Sequence, residues 1–377
     1  MKKRVIMLTA LAVAVCGIFA GCSKTGTETK SSTKSVTSAT SSAAASSTAS
    51  TKSEAKTDDA NKKFSVVCTI FPEYDWIRQL VGDKKDNYEI TYLLDKGVDL
   101  HSYQPTAEDI AKIANCDLFV YVGGESDGWV NDALKESKND KMQVVNLLET
   151  LGKNVKPEEV VEGMQEEDEH DHDHDDKDHD DKDHDHEDAD HDHDHEEETE
   201  YDEHVWLSLR NATVLVNTLA EKLQTIDPEN KDYYAMTAAD YTAKLGDLDS
   251  RYLATIKKAK VKTVLFGDRF PFRYLVDDYG LKYYAAFVGC SAETEASFET
   301  VAFLAKKTDD LKLKSVLVIE NSDQKIAKKI VETTKDKNQN IVVLNSMQSV
   351  TNDDIANGAT YLSIMESNLK ALASALK

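Results

Sequence analysis

Short runs of β-branched and other apolar residues alternate with longer amphipathic runs in two stretches of the chain, residues 62–161 and residues 261–377. This alternation predicts strands separated by helices, which is typical of βα units around a parallel sheet. The predicted strands are Phe64–Ile70, Tyr88–Leu94, Leu118–Val122 and Val144–Leu147, then Thr263–Phe266, Tyr283–Phe287, Ser315–Ile319 and Ile341–Leu344. The predicted helices include Pro72–Val81, Thr106–Ala114 and a closing helix over Asp353–Leu376. We therefore predict an α/β fold with two parallel-sheet lobes.

A third pattern, within residues 204–260, predicts how the N-terminal lobe ends and how the two lobes are joined. Apolar residues recur at spacings of three and four between Asn230 and Lys260, which predicts one long amphipathic helix. They are Tyr234, Ala238, Tyr241, Leu245, Leu248, Tyr252 and Ile256. At about 1.5 Å per residue the helix would be roughly 45 Å long, enough to cross both lobes. We expect it to be a stiff connection.

The N-terminal end of the chain has the pattern of an export signal. Basic residues precede an apolar stretch, Val5–Ala20, that is too short and poorly flanked for a stable membrane span. The stretch ends in FAGC, which resembles the lipobox of bacterial lipoproteins. We predict that residues 1–22 form a lipoprotein signal and that Cys22 carries the lipid anchor. The alternative is a secreted protein in which Cys22 is incidental. Residues 23–61, rich in Ser and Thr, are predicted to be a flexible tether.

Residues 162–203 form a strongly acidic segment. Between Glu166 and Glu203 there are 24 Asp or Glu and two Lys, so most of the formal net charge of -24 belongs to this stretch. Because so charged a segment cannot bury apolar area, we predict a disordered insertion. Nucleic acid is excluded as a partner, since the chain has no basic stripe to neutralise phosphates. Nine of the eleven histidines lie in this tract: His170, His172, His174, His179, His184, His186, His191, His193 and His195.

The two other histidines are His101, in GVDLHSYQP, and His204, in DEHVWL. His101 follows the second predicted strand, and ligands of parallel sheets bind at the carboxyl ends of strands. His204 directly follows the acidic tract, so both side chains can face one cleft between the lobes. Imidazole is a good ligand for zinc, copper, iron and nickel, and carboxylates add oxygen ligands beside it. Each histidine could instead be structural, but together they predict a metal site.

A family resemblance rests on several of these features together. The run GVDLHSYQPTAEDIAKIANCDLFVYVGG, the segment DEHVWL, the two lobes, the linking helix and the His-rich loop occur in one chain. The chain resembles, over about residues 64–377, the zinc-type metal-binding lipoproteins of bacterial ABC importers, the ZnuA/AdcA-like cluster of solute-binding proteins. The resemblance implies that His101 and His204 hold a metal between the lobes. It also implies delivery to a membrane permease driven by an ATPase, and we expect a monomer.

Two positions depart from the pattern of that family. Alignment back from Tyr279-Gly280-Leu281 places Arg269 where the family has a third ligand, and the fourth falls near Asn345. A guanidinium cannot coordinate a cation, because it stays protonated and has no acceptor. Arg269 must therefore turn away, toward Asp268 or Asp277, or mark an altered site.

Zinc usually takes four ligands, so the chain must supply others. We predict Asp268 and Glu320 as metal ligands, since both stand at the ends of predicted strands, and Cys290 as a further candidate. Each has an alternative role: Asp268 as the partner of Arg269, Glu320 as a helix cap, and Cys290 as a small buried residue. The acidic tract could lend an imidazole to the site, or it could only capture zinc and pass it inward.

The predicted function is an extracytoplasmic lipoprotein, anchored to the cell membrane, that captures Zn²⁺ between two lobes for import. One alternative is a surface zinc buffer or adhesin that feeds no permease. Another is the same transport role for Mn²⁺, iron or a further divalent transition metal. An enzyme is not predicted, because the chain has no HExxH motif and no nucleophile–histidine set once both histidines are ligands.

Overall fold

The computed structural model describes residues 63–165, 200–291 and 295–377. Its N-terminal lobe is built on a four-stranded parallel sheet in the order β2-β1-β3-β4. The strands are β1 (Phe64–Cys68), β2 (Tyr88–Tyr92), β3 (Leu118–Tyr121) and β4 (Gln143–Asn146). The central strands are almost continuously apolar because helices cover both faces of a parallel sheet. All four residues of β3 are buried.

Among the described residues of this lobe, five α-helices pack together. They are α1 (Phe71–Val81), α2 (Ala107–Asn115), α3 (Val130–Lys135), α4 (Leu147–Leu151) and α5 (Leu209–Ile226). The last of these lies beyond the acidic tract and is absent from the helices predicted above. Its sequence does carry a helix signal, because Ser208 caps it by accepting a hydrogen bond from the backbone N–H of Asn211 at 3.1 Å.

The linking helix α6 (Lys231–Lys258) has 28 residues, close to the predicted bounds. Its buried residues are the seven that form the predicted apolar face. Near its start, the hydroxyl of Tyr88 donates to that of Tyr234 in the N-terminal lobe at 2.8 Å. Near its end, Tyr252 donates to the carbonyl of Met365 at 2.6 Å and stacks on Tyr279. One continuous helix therefore packs against both lobes.

The C-terminal lobe contains two parallel strand pairs. They are formed by β5 (Thr263–Leu265) with β6 (Lys282–Tyr284), and β7 (Ser315–Val318) with β8 (Asn340–Val343). A parallel bridge between Phe266 and Leu317 connects the two pairs. The helices are α7 (Arg273–Tyr279), α8 (Phe298–Asp310), α9 (Lys325–Thr333), α10 (Asn352–Ala356) and α11 (Tyr361–Ala375).

The predicted closing helix is wrong as a single element, since α10 and α11 are separate. Gly358 has φ +95°, a conformation that glycine adopts without steric cost, and its N–H donates to the carbonyl of Ile355. Thr360 then caps α11 by accepting from the N–H of Ser363. The local capping signals outweigh the apolar periodicity that runs through both helices.

Both ends of the predicted acidic insertion belong to the fold. The N–H of Gln165 donates to the carbonyl of Ala286, and that of Asp202 donates to the carbonyl of Lys156. The predicted disordered limits are therefore too wide at each end. Cys22, the tether and the nine histidines of the tract lie outside the described residues. Within the described parts of the chain, no helix is both long and apolar enough to cross a membrane.

Candidate metal centre

His101 lies in a single helical turn, Leu100–Ser102, which follows β2 as predicted. Asp99 shapes this turn, because its Oδ1 accepts a hydrogen bond from the backbone N–H of His101 at 3.1 Å. His204 is held in the same way, since Asp202 Oδ1 accepts from its backbone N–H at 2.9 Å. The sequence signal shared by both sites is an aspartate two residues before the histidine. Such short side-chain-to-backbone bonds fix a loop locally.

The imidazole of His204 is fully buried and has a defined orientation. Its Nδ1 lies 3.0 Å from Asp202 Oδ1. Because this oxygen acts as an acceptor, Nδ1 carries the proton and Nε2 presents a lone pair. A carboxylate behind a metal-binding histidine is a common means of fixing the orientation and tautomer of the ring. Tyr274 holds the backbone here by donating to the carbonyl of Asp202 at 2.8 Å.

The two imidazoles face each other through their Nε2 atoms, which are 3.2 Å apart. Zinc–nitrogen bonds of about 2.0–2.1 Å in a tetrahedral site would separate two nitrogens by about 3.3 Å. The observed spacing therefore suits two ligands of one ion. With no metal, the same spacing suits a hydrogen bond in which His101 Nε2–H donates to His204 Nε2.

The opposite nitrogen of His101 faces Ser126 and Glu203. Nδ1 lies 2.7 Å from Ser126 Oγ and 3.6 Å from Glu203 Oε2. This Glu203 oxygen is buried without a hydrogen-bond partner, whereas its other oxygen accepts from the N–H of Ser126 at 2.9 Å. Burial, followed by the neighbouring His204, lowers the pKa of His101 to about 3. The ring is thus neutral, as a metal ligand must be.

Cys290 completes the cluster from the loop after β6. The ligand atoms of His101, His204 and Cys290 all lie within 4.8 Å of one another. The preceding Gly289 permits this approach, since a Cβ there would stand 3.0 Å from His204 Cε1 and 3.0 Å from the carbonyl oxygen of Phe270. Burial, and then the negative charge of Glu158, raise the pKa of the Cys290 thiol.

Arg269 turns away from this cluster, but not toward the expected partners. Its guanidinium pairs with Asp99 and donates to Gln348 Oε1 at 2.9 Å. Asp268 instead accepts from the backbone N–H of Arg269 at 3.0 Å. The predicted pairing of the guanidinium with Asp268 or Asp277 is therefore wrong. Its partner Asp99 is the residue that shapes the His101 turn.

Asp268 and Glu320 lie outside the cluster of ligand atoms. Glu320 accepts from the N–H and hydroxyl of Ser346 at 2.6 and 2.7 Å, and from the N–H of Gln348 at 3.1 Å. These hydrogen bonds show that Glu320 holds the turn that follows β8. Asn345 also serves that turn, because its Oδ1 accepts from the N–H of Met347 at 2.8 Å. The geometry favours Cys290 over Asp268 and Glu320 as the ligand from the C-terminal lobe.

A polar cavity of about 250 Å³ opens at the cluster. His101, Cys290, Glu158, Glu203 and Tyr201 are among the residues that line it. Glu158 was not predicted from the sequence, because nothing local connects it with a cysteine more than a hundred residues away. Opposed imidazoles, a nearby thiol and lining carboxylates can bind a transition metal.

Two parallel-sheet lobes on one long helix, with ligand atoms from separate elements meeting in a cavity, define a metal-binding protein of the two-lobe solute-binding class. The chain belongs to the family described as ZnuA, zinc-uptake complex component A, periplasmic, whose family model matches residues 66–375. This confirms the predicted family resemblance, and with it the α/β fold class.

The similarity to individual proteins of this kind extends over most of the chain. The high-affinity zinc uptake system protein ZnuA of Bacillus subtilis (strain 168) is 32% identical over 319 residues, which are 85% of this chain and 89% of that protein. The zinc-binding lipoprotein AdcA of Streptococcus pneumoniae (strain ATCC BAA-255 / R6) is 31% identical over 313 residues. That match covers 83% of this chain but 56% of AdcA.

A solved structure shows the same architecture. The Zn(II)-bound ZnuA-like domain of Streptococcus pneumoniae AdcA matches with a TM-score of 0.60 at 27% identity, covering 83% of this chain and 99% of that chain. The prediction of zinc as the ion is confirmed by the family description and by this zinc-bound relative. The prediction that the chain is not an enzyme is confirmed by relatives named for zinc uptake and zinc binding.

Proposed function

We propose that this chain captures Zn²⁺ with His101, His204 and Cys290 and delivers it to an ABC permease driven by an ATPase. The observation that carries the proposal is the pair of Nε2 atoms 3.2 Å apart, with the Cys290 thiol in the same cluster. Two neutral imidazoles and a thiolate are ligands that zinc prefers. Membership of a zinc-uptake family supports the transport role.

The lobes are tied together by polar contacts, one of them at the His101 turn, which suits capture with little lobe motion. Besides the Arg269–Asp99 pair, Tyr92 donates to the carbonyl of Val350 at 2.9 Å, and the N–H of Asn352 donates to the carbonyl of Asp95 at 3.0 Å. Together with α6 these bonds hold the lobes at a fixed spacing. Zinc then enters and leaves through local movement at the cavity.

The proposal also assigns roles to the N-terminal part of the chain and to the acidic tract. Lipid on Cys22 and the tether of residues 23–61 would hold a monomeric protein at the outer face of the cell membrane. The described residue on the C-terminal side of the tract, Glu200, lines the same cavity as His101. The proposal gives the tract histidines the role of raising the local zinc concentration, since the described chain resumes at a residue of the cavity lining.

The test is a zinc titration of the full chain, of the chain with residues 166–199 replaced by a Gly-Ser linker, and of that replacement with His101→Ala and His204→Ala. We expect one tight site that survives the replacement and is lost with both histidines. Loss of tight binding on replacement alone would make the tract part of the site. Tight binding that survives loss of both histidines would refute the cleft site.

Delivery is tested by growth under zinc limitation. A strain lacking the protein should recover growth with the wild-type chain and not with the double histidine variant. Equal growth of the strains complemented with the wild-type chain and with the double histidine variant would favour a surface zinc buffer or adhesin. A growth defect relieved by manganese and not by zinc would favour the alternative metal.

A further inference from the structure

The ligand count leaves one position at the proposed zinc site to be assigned. Zinc in proteins is usually bound by four ligands, and the cluster of His101, His204 and Cys290 supplies three. The cavity beside the cluster is lined by carboxylates, of which Glu203 and Glu158 have hydrogen bonds to the cluster or to its supporting loop. The two carboxylates lie on different sides of the cluster, one behind the imidazole of His101 and the other beside the thiol of Cys290.

Glu203 lies behind the imidazole of His101. Its Oε2 is 3.6 Å from Nδ1, whereas the metal-facing nitrogen is the Nε2 that points toward His204. Its Oε1 is held by the backbone N–H of Ser126. Glu203 therefore lies behind His101 without a hydrogen bond to its ring, on the side away from the metal-facing nitrogen.

Glu158 lies directly beside the thiol. Its Oε1 accepts from the backbone N–H of Cys290 at 3.1 Å, and its carboxylate is also hydrogen-bonded to the Cys290 side chain. In a tetrahedral zinc site a sulfur and an oxygen ligand are separated by about 3.6 Å. The thiol therefore has a carboxylate beside it that can reach a zinc ion taking the place of the thiol proton. In the structure Glu158 is outside the cluster in which the ligand atoms of His101, His204 and Cys290 lie within 4.8 Å of one another, so its side chain must turn toward those atoms to become a ligand.

The backbone that carries Glu158 is held in place by a short pairing. Its N–H donates to the carbonyl of Glu200 at 3.0 Å, and Pro157 forms an antiparallel bridge with Tyr201. The N–H of Lys156 is bound by the hydroxyl of Tyr274 at 3.0 Å. This stem, residues 156–158 paired with residues 200–202, therefore carries both Glu158 and the aspartate that orients His204.

Charge balance favours a second anionic ligand. A buried ion is costly unless its charge is compensated. Counted over the ligands alone, two neutral imidazoles and one thiolate leave bound Zn²⁺ with a net charge of +1, and a carboxylate ligand cancels it. The carboxylates of Asp202 and Glu203, which lie behind the imidazoles, are outside this count. The nearby guanidinium of Arg269 is compensated separately by Asp99.

We infer that Glu158 is the fourth zinc ligand, so that the site consists of two imidazoles, a thiolate and a carboxylate from the stem of the acidic tract. This inference rests on the proposed function and specifies its coordination sphere. It also makes the stem part of the binding site, which links the root of the tract to the bound ion.

The experiment uses the full chain with Glu158→Gln, Glu158→Ala and a matched control, Glu159→Gln. The control neighbours Glu158 on the stem, but its Oε2 accepts from Tyr283 at 2.9 Å and contacts Arg273 instead of the cavity. Zinc affinity is measured by competition with a tight chelator. Coordination is measured with one equivalent of Co²⁺, whose d–d absorption reports the whole ligand set and whose sulfur-to-cobalt charge-transfer band reports the thiolate.

We expect Glu158→Ala to lower zinc affinity by more than about 100-fold, beyond what loss of a supporting hydrogen-bond partner costs. The d–d bands should change in both Glu158 variants while the charge-transfer band persists, and Glu159→Gln should match the wild type. Unchanged d–d bands in both variants would overturn the inference, whatever the affinity. Loss of the charge-transfer band would also overturn it, since Glu158 would then position Cys290.

These outcomes are separable from failure of the proposed function. If the wild-type chain lacked a tight site that depends on His101 and His204, the function itself would fail. If that site were present and indifferent to both Glu158 variants, only the assignment of Glu158 would fail.

Discussion

Replacing Cys290 with serine should make zinc binding less sensitive to pH. Burial and nearby carboxylates raise the pKa of the thiol above its ordinary value, so the metal-free site holds the sulfur protonated at neutral pH. Zinc needs the thiolate, and its binding therefore releases this proton. Falling pH favours the protonated, metal-free form, so affinity should decrease as pH decreases.

The magnitude follows from one proton released per zinc. Affinity should change about tenfold per pH unit through Cys290, which is about 100-fold, or about 2.7 kcal/mol, between pH 7.5 and 5.5. His101 adds nothing in this range, because burial lowers its pKa to about 3 and the ring stays neutral. The difference in slope between wild type and Cys290→Ser isolates the thiol, since groups common to both chains cancel.

The assay is competition with a chromogenic zinc chelator at pH 5.5, 6.5 and 7.5, corrected for protonation of the chelator. Cys116→Ser is the matched control, because Cys116 is buried elsewhere, next to Met142 in the N-terminal lobe. It should retain the wild-type slope. If Cys290→Ser kept the wild-type dependence of zinc affinity on pH as well, the thiol would not be the source of the proton that zinc displaces. Cys290 would then not be a zinc ligand.

Two further predictions concern the folded state and the approach of the Cys290 loop. Burial and the neighbouring Asp127 raise the pKa of Glu73 to about 8, so stability from this group is complete below its ordinary value near 4.5 and is lost as pH rises through about 8. Glu73→Gln should therefore increase the free energy of unfolding relative to wild type more at pH 8 than at pH 5, by roughly 1.4 kcal/mol for each pH unit between the two pKa values. Equal gains at pH 5 and pH 8 in thermal unfolding would contradict this. Gly289→Ala places a Cβ 3.0 Å from His204 Cε1 and from the Phe270 carbonyl, so it should weaken zinc binding in the chelator assay while Gly246→Ala, which meets open space, does not. Equal affinities for these two variants would show that the loop has room to shift.

The sequence was sufficient for features that repeat locally. The buried face of α6 and the position of His101 after β2 follow from periodicity and from the rule on strand ends, and both match the structure. The division between α10 and α11 was missed, since one glycine turn outweighs a pattern that continues across it.

The candidate site was predictable only in part. His101 and His204 stood out because they were the only histidines outside the acidic tract, but their side-chain partners depend on loops that are distant in sequence. Arg269 pairs with a residue 170 positions away, and Glu158 meets Cys290 132 positions away. Such contacts depend on how the two lobes dock, which no local spacing encodes. The Asp-x-His pattern before each imidazole was a usable local signal.

The Arg269–Asp99 pair has a consequence for how a loaded protein differs from an empty one. A guanidinium stays charged at any physiological pH, so this tie between the lobes does not depend on zinc or on protons. The spacing of the two lobes at this pair should then be nearly the same in both states. A partner that distinguishes the two must sense the surface next to the cavity, where Tyr201 is 49% exposed on the paired stem. The difference between the zinc-loaded and the empty protein should thus be confined to the small surface around Tyr201. The stem that carries this surface is also where the acidic tract joins the fold.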